Sequence, residues 1–156
     1  DVVFLDDHID TAWFEEIQGW NPNYVFKAKS DYYDTAFAVL SAIPGMHLWK
    51  HGELPNRLHY GNNPRTLDFI AAAKKGKGLM FSWNYREEDG TGAHGYDNQL
   101  RDMHTIFYGS GPDFKKNYNS KAFENVHIYS LLAEILGITP AQTDGSIDSV
   151  RHILKP

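Results

Sequence analysis

The sequence is organised around the stretch Gly90-Thr91-Gly92-Ala93-His94-Gly95-Tyr96-Asp97-Asn98. Three glycines within six positions allow the backbone to adopt positive φ angles and allow another group to approach it closely. The imidazole of His94 lies between them, and such a loop is suited to presenting one metal ligand. Taken alone, the pattern is more typical of a turn whose histidine is solvated or hydrogen-bonded. The surrounding sequence therefore has to decide between the two interpretations.

Three blocks of sequence surround this loop in a defined order and spacing. They are Leu54-Pro55-Asn56-Arg57-Leu58-His59-Tyr60-Gly61-Asn62-Asn63-Pro64-Arg65, then His94-Gly95-Tyr96-Asp97-Asn98 with Met103, Ile106-Phe107 and Gly111-Pro112-Asp113-Phe114-Lys115, and then Phe123-Glu124-Asn125-Val126-His127-Ile128-Tyr129 with Leu136-Gly137-Ile138-Thr139-Pro140-Ala141. Together the blocks resemble the nucleotide pyrophosphatase/phosphodiesterase (type I phosphodiesterase) family, a branch of the alkaline phosphatase superfamily. The resemblance covers nearly the whole chain and is densest from residue 54 to residue 141.

The resemblance implies a site at the carboxyl edge of a sheet, where two zinc ions act with a threonine nucleophile. Carried over residue by residue, the resemblance makes His94 the last metal ligand. It makes Asp97 a candidate for the acceptor that orients the His94 ring. The nucleophile and most of the ligands belong to motifs that precede this region, and no Asp-His-Gly motif occurs in this sequence. We therefore expect no catalytic residue within this chain.

The chemistry explains why paired cations are needed. A phosphodiester or pyrophosphate anion repels an incoming nucleophile, and metal ions neutralise its oxygens and stabilise the leaving group. An imidazole suits zinc because one ring nitrogen binds while the other is oriented by a neighbouring acceptor. A catalytic zinc site needs about three protein ligands and an open position, so one histidine is too few. The chain alone is predicted to be inactive, with the upstream part of the same polypeptide supplying the rest of the site.

Two other functions remain open at this point. The chain could be a non-catalytic fragment that binds a partner or has a structural role, or it could belong to a phosphomonoesterase or sulfatase relative in the same superfamily. The Leu54–Arg65 block favours the phosphodiesterase branch. The expected substrate is a nucleotide or another small phosphodiester, and the resemblance implies an exported protein, either periplasmic or extracellular.

Composition excludes several classes of protein. The 156 residues are 42% hydrophobic, which is enough for one sizeable core. With 20 acidic and 15 basic residues the formal net charge is -5, which argues against a nucleic-acid groove. The absence of cysteine excludes disulfides and thiolate metal sites. No apolar run approaches the length of a membrane segment, and the opening Asp1-Val2-Val3-Phe4 predicts that the sequence starts inside a larger protein.

The resemblance also implies the fold class, which is α/β. We expect the C-terminal portion of an alkaline-phosphatase-like sheet, sandwiched by helices and carrying a small α+β cap. All 156 residues would belong to one catalytic domain, with the cap at about residues 10–60 and the core at residues 61–156. Alternation and turn residues predict the elements more locally. The predicted strands are Val2–Leu5, Tyr24–Lys29, Met46–Lys50, Leu67–Ala73, Leu79–Trp83 and Thr105–Gly109, and the predicted helices run from a cap at Asp31 or Asp34 to about Ile43 and from about Val126 to Leu136.

One packing prediction follows from these elements. If Thr105–Gly109 is a buried strand, Phe107 should lie between sheet and helix, packed against Leu131 or Ile135. Removing its side chain would then cost about 3–5 kcal/mol.

Three groups of polar residues compete with His94 as functional candidates. The run Asp6-Asp7-His8 is predicted to be a solvated turn, because adjacent side chains of an extended segment point to opposite faces. The cluster Arg57, His59, Tyr60 and Arg65 could bind phosphate, although the resemblance favours Tyr60 and Arg65 as anchors of their loop. The acidic run Glu87-Glu88-Asp89 is expected to be solvated.

Overall fold

A computed structural model describes residues 1–86 and 92–156 of the chain. The α-helices and β-strands in these ranges are β1 (Val2–Phe4), β2 (Phe14–Trp20), β3 (Asn23–Ala28), α1 (Tyr33–Ala42), β4 (Met46–Lys50), β5 (Phe69–Ala73), β6 (Gly78–Met80) and α2 (His127–Leu136). They fall into two compact units, Asp1–Thr105 and Ile106–Pro156.

An antiparallel sheet dominates the first unit. Among the described residues it has four strands in the order β2-β3-β5-β4. Strand β3 alternates as predicted, with Tyr24, Phe26 and Ala28 buried, because successive side chains of a strand point to opposite faces. The sheet includes β5 at Phe69–Ala73 and so extends past residue 60. The cap boundary near residue 60 stays a prediction.

Helix α1 covers this sheet with the apolar stripe that its spacing predicts. Ala36 and Leu40 are fully buried and belong to the same core cluster as Phe26 and Phe69. The helix is confirmed, but neither predicted cap is used: Tyr32 occupies the position before the helix and makes no side-chain capping bond. Asp34 lies instead in the first turn, where a negative charge interacts favourably with the helix dipole.

A parallel pair accompanies the antiparallel sheet. Strand β1 pairs with β6 in parallel, with Val3 opposite Leu79. Strands β5 and β6 are neighbours along the chain but belong to different sheets. Leu5 and Leu79 are fully buried in the same cluster as the residues of the antiparallel sheet. The predicted α/β class is confirmed, and the structure contains both parallel and antiparallel strand pairs.

The second unit is built around α2, which is also confirmed. Gly137 ends this helix with a φ of 64°, a left-handed conformation that glycine adopts without strain. Leu131 of the helix forms a small separate core with Val150, Ile153 and Leu154. The chain reaches those three residues through short 3₁₀ turns at Ile147–Ser149 and Arg151–Ile153.

The predicted strand at Thr105–Gly109 is wrong. These residues have no regular secondary structure, and Phe107 is 40% exposed rather than buried. Its ring lies 5.2 Å from that of Phe123, centroid to centroid, in an edge-to-face contact. An apolar run becomes a strand only when another strand satisfies its backbone groups, and no described strand pairs with this one.

Candidate functional site

His94 lies in an irregular segment of the first unit, between Gly92 and Gly95, and its side chain is exposed. An imidazole in this position is open to solvent and is not part of the hydrophobic core. The contacts that hold the segment come from the residues directly after His94, and they join it to three different parts of the first unit.

The first contact comes from Asn23, the first residue of β3. The side-chain Nδ2 of Asn23 donates a hydrogen bond of 2.8 Å to the carbonyl oxygen of Gly95. Gly95 has a φ of +92°, and a Cβ atom there would lie 3.1 Å from that same Nδ2. Glycine is needed at position 95 both for the backbone conformation and for this close approach.

The second contact ties the loop to the start of β6. The hydroxyl of Tyr96 donates a 2.8 Å hydrogen bond to the carbonyl oxygen of Lys77, and the Tyr96 ring packs against the main core cluster. Because Tyr96 combines an apolar body with a polar tip, it fixes both the depth and the orientation of the segment.

The third contact comes from the Leu54–Arg65 block. Arg57 donates from Nη1 to Oδ1 of Asp97 at 2.9 Å and from Nη2 to Oδ2 at 2.5 Å. Its Nη1 also donates to Oδ1 of Asn98 at 2.6 Å. The backbone N–H of Gln99 donates to Asp97 Oδ1 at 2.8 Å. The paired bonds from one guanidinium to one carboxylate fix the relative orientation of the two segments.

This ion pair changes the ionisation of its carboxylate. The hydrogen bonds from Arg57 hold the pKa of Asp97 below its ordinary value, and partial burial opposes the shift without cancelling it. The same pairing raises the pKa of Arg57. The pairing with Arg57 therefore favours the charged form of the Asp97 carboxylate.

The pH dependence of this pair gives a first prediction. A depressed folded pKa contributes stability above the unfolded value, about 3.9 for Asp, and that contribution is lost as the pH falls through the folded pKa. The side chains of Arg57 and Asp97 are 31% and 35% exposed, so we expect about 1 kcal/mol or less. The measurement is chemical unfolding of wild type and Asp97→Asn between pH 7 and 3. Their stability difference should shrink below about pH 4, and a constant difference would contradict the prediction.

The structure accounts for the other candidates individually. Arg57 is bound to Asp97, which removes it from a phosphate-binding cluster, and the side chain of Arg65 hydrogen-bonds Asn63 within its own loop. The anchoring contact of this block to the His94 loop is thus made by Arg57. Asp6 accepts a 2.7 Å hydrogen bond from the backbone N–H of Ser82 and another from its hydroxyl, so its role is structural. The run Glu87–Asp89 lies outside the described residues.

Metal binding needs more donors than this loop provides. No group of three or more histidine and carboxylate side chains that could hold an ion occurs in residues 1–86 and 92–156. The exposed imidazole of His94 fits the role of a single zinc ligand, because its ring is not enclosed by the core. That assignment and the supporting role of Asp97 stay predictions.

A small cavity is present elsewhere in the first unit. It has a volume of about 310 Å³ and is lined by Trp20, Trp83, Asn84 and Arg86. Both indoles are more than half exposed. Trp20, the last residue of β2, pairs with Asn23 of β3, and Asn23 is the residue that hydrogen-bonds Gly95.

Comparison with known proteins decides the family. The model of the type I phosphodiesterase / nucleotide pyrophosphatase family matches residues 1–97, which include the six strands of the described residues together with His94 and Asp97. The chain belongs to this family. The resemblance stated from the sequence blocks is thereby confirmed.

Relatives of this phosphodiesterase-family chain are known in sequence and in structure. It is 34% identical over 141 residues to ectonucleotide pyrophosphatase/phosphodiesterase family member 7 of Rattus norvegicus, covering 90% of this chain and 32% of that protein. It is 35% identical over 160 residues to venom phosphodiesterase of Naja atra, covering 97% of this chain and 19% of that protein.

A solved structure supports the fold. The inactive form of murine ectonucleotide pyrophosphatase/phosphodiesterase 5, in complex with AMP, matches with a TM-score of 0.85 and 31% identity. The match covers 99% of this chain and 41% of that one. The alkaline-phosphatase-like α/β fold is therefore shown. The chain spans about a third of the length of the first curated relatives that it matches.

Across the described residues, no helix has the length and apolar character that crossing a membrane would require.

Proposed function

We propose that the complete protein hydrolyses phosphodiester or pyrophosphate bonds in nucleotide-like substrates with the help of zinc. This chain would contribute the C-terminal part of the catalytic domain, with the upstream part of the same polypeptide supplying the nucleophile and the remaining ligands. The family match over residues 1–97 carries the proposal, since it includes the exposed His94 and the residues that anchor its loop.

Within this proposal His94 would hold one of two zinc ions. When bound, the pair of ions would neutralise the phosphate oxygens and lower the pKa of the nucleophile. The chain's own contribution is positional: Asn23, Tyr96 and Asp97 hold the segment from Gly95 to Asp97, directly after the exposed imidazole of His94. Asp97 would support the ligand from behind, because partners of ligating histidines orient the ring and are themselves hydrogen-bonded.

The names of the relatives support the substrate class and the location. A related protein was solved in complex with AMP, which is a nucleotide. Relatives are named ectonucleotide and venom enzymes, which supports export for this protein too. On this basis we propose that the substrate is a small nucleotide ester outside the cell or in the periplasm.

The function is tested by a side-by-side assay, which is a second prediction. Full-length protein should hydrolyse the p-nitrophenyl ester of a nucleotide in a zinc-dependent way. The 156-residue chain should give no turnover at any zinc concentration, because a catalytic site needs about three protein ligands. Turnover by the purified chain would reveal a second, unrecognised site.

The same assay separates the alternatives. Preferential hydrolysis of a phosphate monoester or a sulfate ester would place the full-length protein with the phosphomonoesterase or sulfatase relatives. Zinc binding without hydrolysis of any of the three esters would favour a non-catalytic role.

A further inference from the structure

We propose that Arg57 is a positioning residue for His94, which it controls through Asp97 and Asn98; this inference rests on the proposed role of His94 as a zinc ligand. Arg57 and Asp97 are 40 positions apart in sequence, yet both oxygens of the carboxylate are bound by the one guanidinium. The third bond, to Asn98, extends the contact along the same segment.

The need for such a clamp follows from the loop itself. His94 is exposed and lies between glycines, so its own side chain has little packing to hold it. Asn23 fixes the carbonyl of Gly95 through one hydrogen bond, and Tyr96 fixes the next position through one hydrogen bond and the packing of its ring. The planar fork of arginine sets both distance and orientation when it binds a carboxylate through two nitrogens.

The clamp lies close enough to His94 to control it. Asp97 is three residues after His94, and the backbone between them turns at Gly95 with a φ of +92°. Releasing Asp97 would leave this short segment free to sample other conformations. Zinc binding would then have to order the segment, and this cost would lower the zinc affinity. Loss of partners of this kind costs about 10–100-fold in metal affinity or activity.

The 3₁₀ turn that carries Arg57 is itself ordered. Arg57 lies within Asn56–Leu58, and His59 closes this turn with a φ of 48°, in the left-handed region. The N–H groups of Leu58 and His59 bond the carbonyls of Pro55 and Asn56 at 2.9 and 3.1 Å. The guanidinium is thus presented from a fixed backbone, which is what a positioning role requires.

The third prediction tests this with three variants of the full-length enzyme. Arg57→Ala should weaken zinc binding by about 10–100-fold, measured by competition with a chelator, while Arg57→Lys should recover part of the loss because it keeps the charge without the fork. Arg65→Ala is the matched control from the same loop, since the side chain of Arg65 hydrogen-bonds Asn63 within that loop. It should leave zinc affinity within about twofold of wild type.

A double-mutant cycle distinguishes positioning from a general loss of structure. If Arg57 acts through Asp97, the variant with both Arg57→Ala and Asp97→Ala should lose no more zinc affinity than the more affected of the two single variants. Activity of Arg57→Ala should also recover as zinc is raised, whereas a collapsed loop would not be rescued. Additive losses, or an effect of Arg57→Ala no larger than that of Arg65→Ala, would overturn the inference.

The proposed function and this inference fail in different ways. If His94→Ala leaves zinc affinity unchanged, His94 is not a ligand and the proposed function is at fault. If His94→Ala removes zinc while Arg57→Ala behaves like Arg65→Ala, the ligand assignment stands and only the positioning role is wrong.

Discussion

If His94 is the zinc ligand that we propose, replacing it with alanine in the full-length protein is expected to reduce phosphodiester hydrolysis by well over about 100-fold. Removing partners behind a ligand already costs about 10–100-fold, and removing the ligand itself leaves the ion with an incomplete donor set. The exposed position of the side chain means that the substitution creates no cavity in the core. Zinc content and kcat/KM should therefore fall together while the unfolding transition stays close to that of wild type.

Other histidines provide controls for this experiment. His104 is exposed, lies ten positions further along the chain and is outside the family match at residues 1–97, so His104→Ala should behave as wild type. His59→Ala should have a modest effect through the anchoring loop, because His59 closes the turn that presents Arg57. Near-normal kcat with full zinc content in His94→Ala would refute the ligand assignment, as would equal losses in the His94 and His59 variants.

Elements with a regular apolar pattern could be predicted from the sequence. In β3 the alternation of Tyr24, Phe26 and Ala28 marks one buried face, and the structure buries all three. In α2 the apolar spacing marks a helix that Gly137 ends. In both cases the information is local, since a strand has a period of two residues and a helix a period of 3.6.

Strand β2 shows where local information fails. Its pairing with β3 changes register between Phe14 and Glu16, so that Phe14 is opposite Ala28 while Glu16 is opposite Lys27. This irregularity leaves the more buried residues, Phe14 and Ile17, three positions apart. A bulge of this kind breaks the two-residue period, and the strand cannot be recognised from alternation.

In the candidate site, too, some residues could be predicted from the sequence and others could not. His94 and Asp97 are marked by a continuous stretch of sequence and could be selected directly. The partner of Asp97 could not be selected from the sequence, because Arg57 lies 40 positions away. The sequence of its block does not show which of the two arginines, Arg57 or Arg65, pairs with Asp97. A carboxylate after a glycine loop and an arginine in a turn are each common, and only the folded chain shows that they meet.

The other large effect concerns Phe69, which is fully buried in β5. It is opposite Phe26 in β3, and its ring lies 4.8 Å from Tyr33 and 5.4 Å from Phe37, between ring centroids. Phe69→Ala therefore removes the side chain that joins the sheet to α1. We expect a loss of about 3–5 kcal/mol in the free energy of unfolding, a large share of the total stability of a typical domain. Denaturant unfolding of the full-length protein measures it.

Phe107→Ala is the matched comparison, because the apolar run around Phe107 looks as strand-like in the sequence as that of β5. Phe107 is 40% exposed and its contacts are ring edges of Phe114 and Phe123, so the same deletion should cost about 1 kcal/mol. The loss in the free energy of unfolding depends on how much of the ring is buried and not on how apolar the surrounding sequence is. Water already reaches part of the Phe107 ring in the folded chain, so deleting that ring loses less. If the two variants were equally destabilised, the second unit would have to bury Phe107 in solution, and the exposed, unpaired course of residues 105–109 would be wrong.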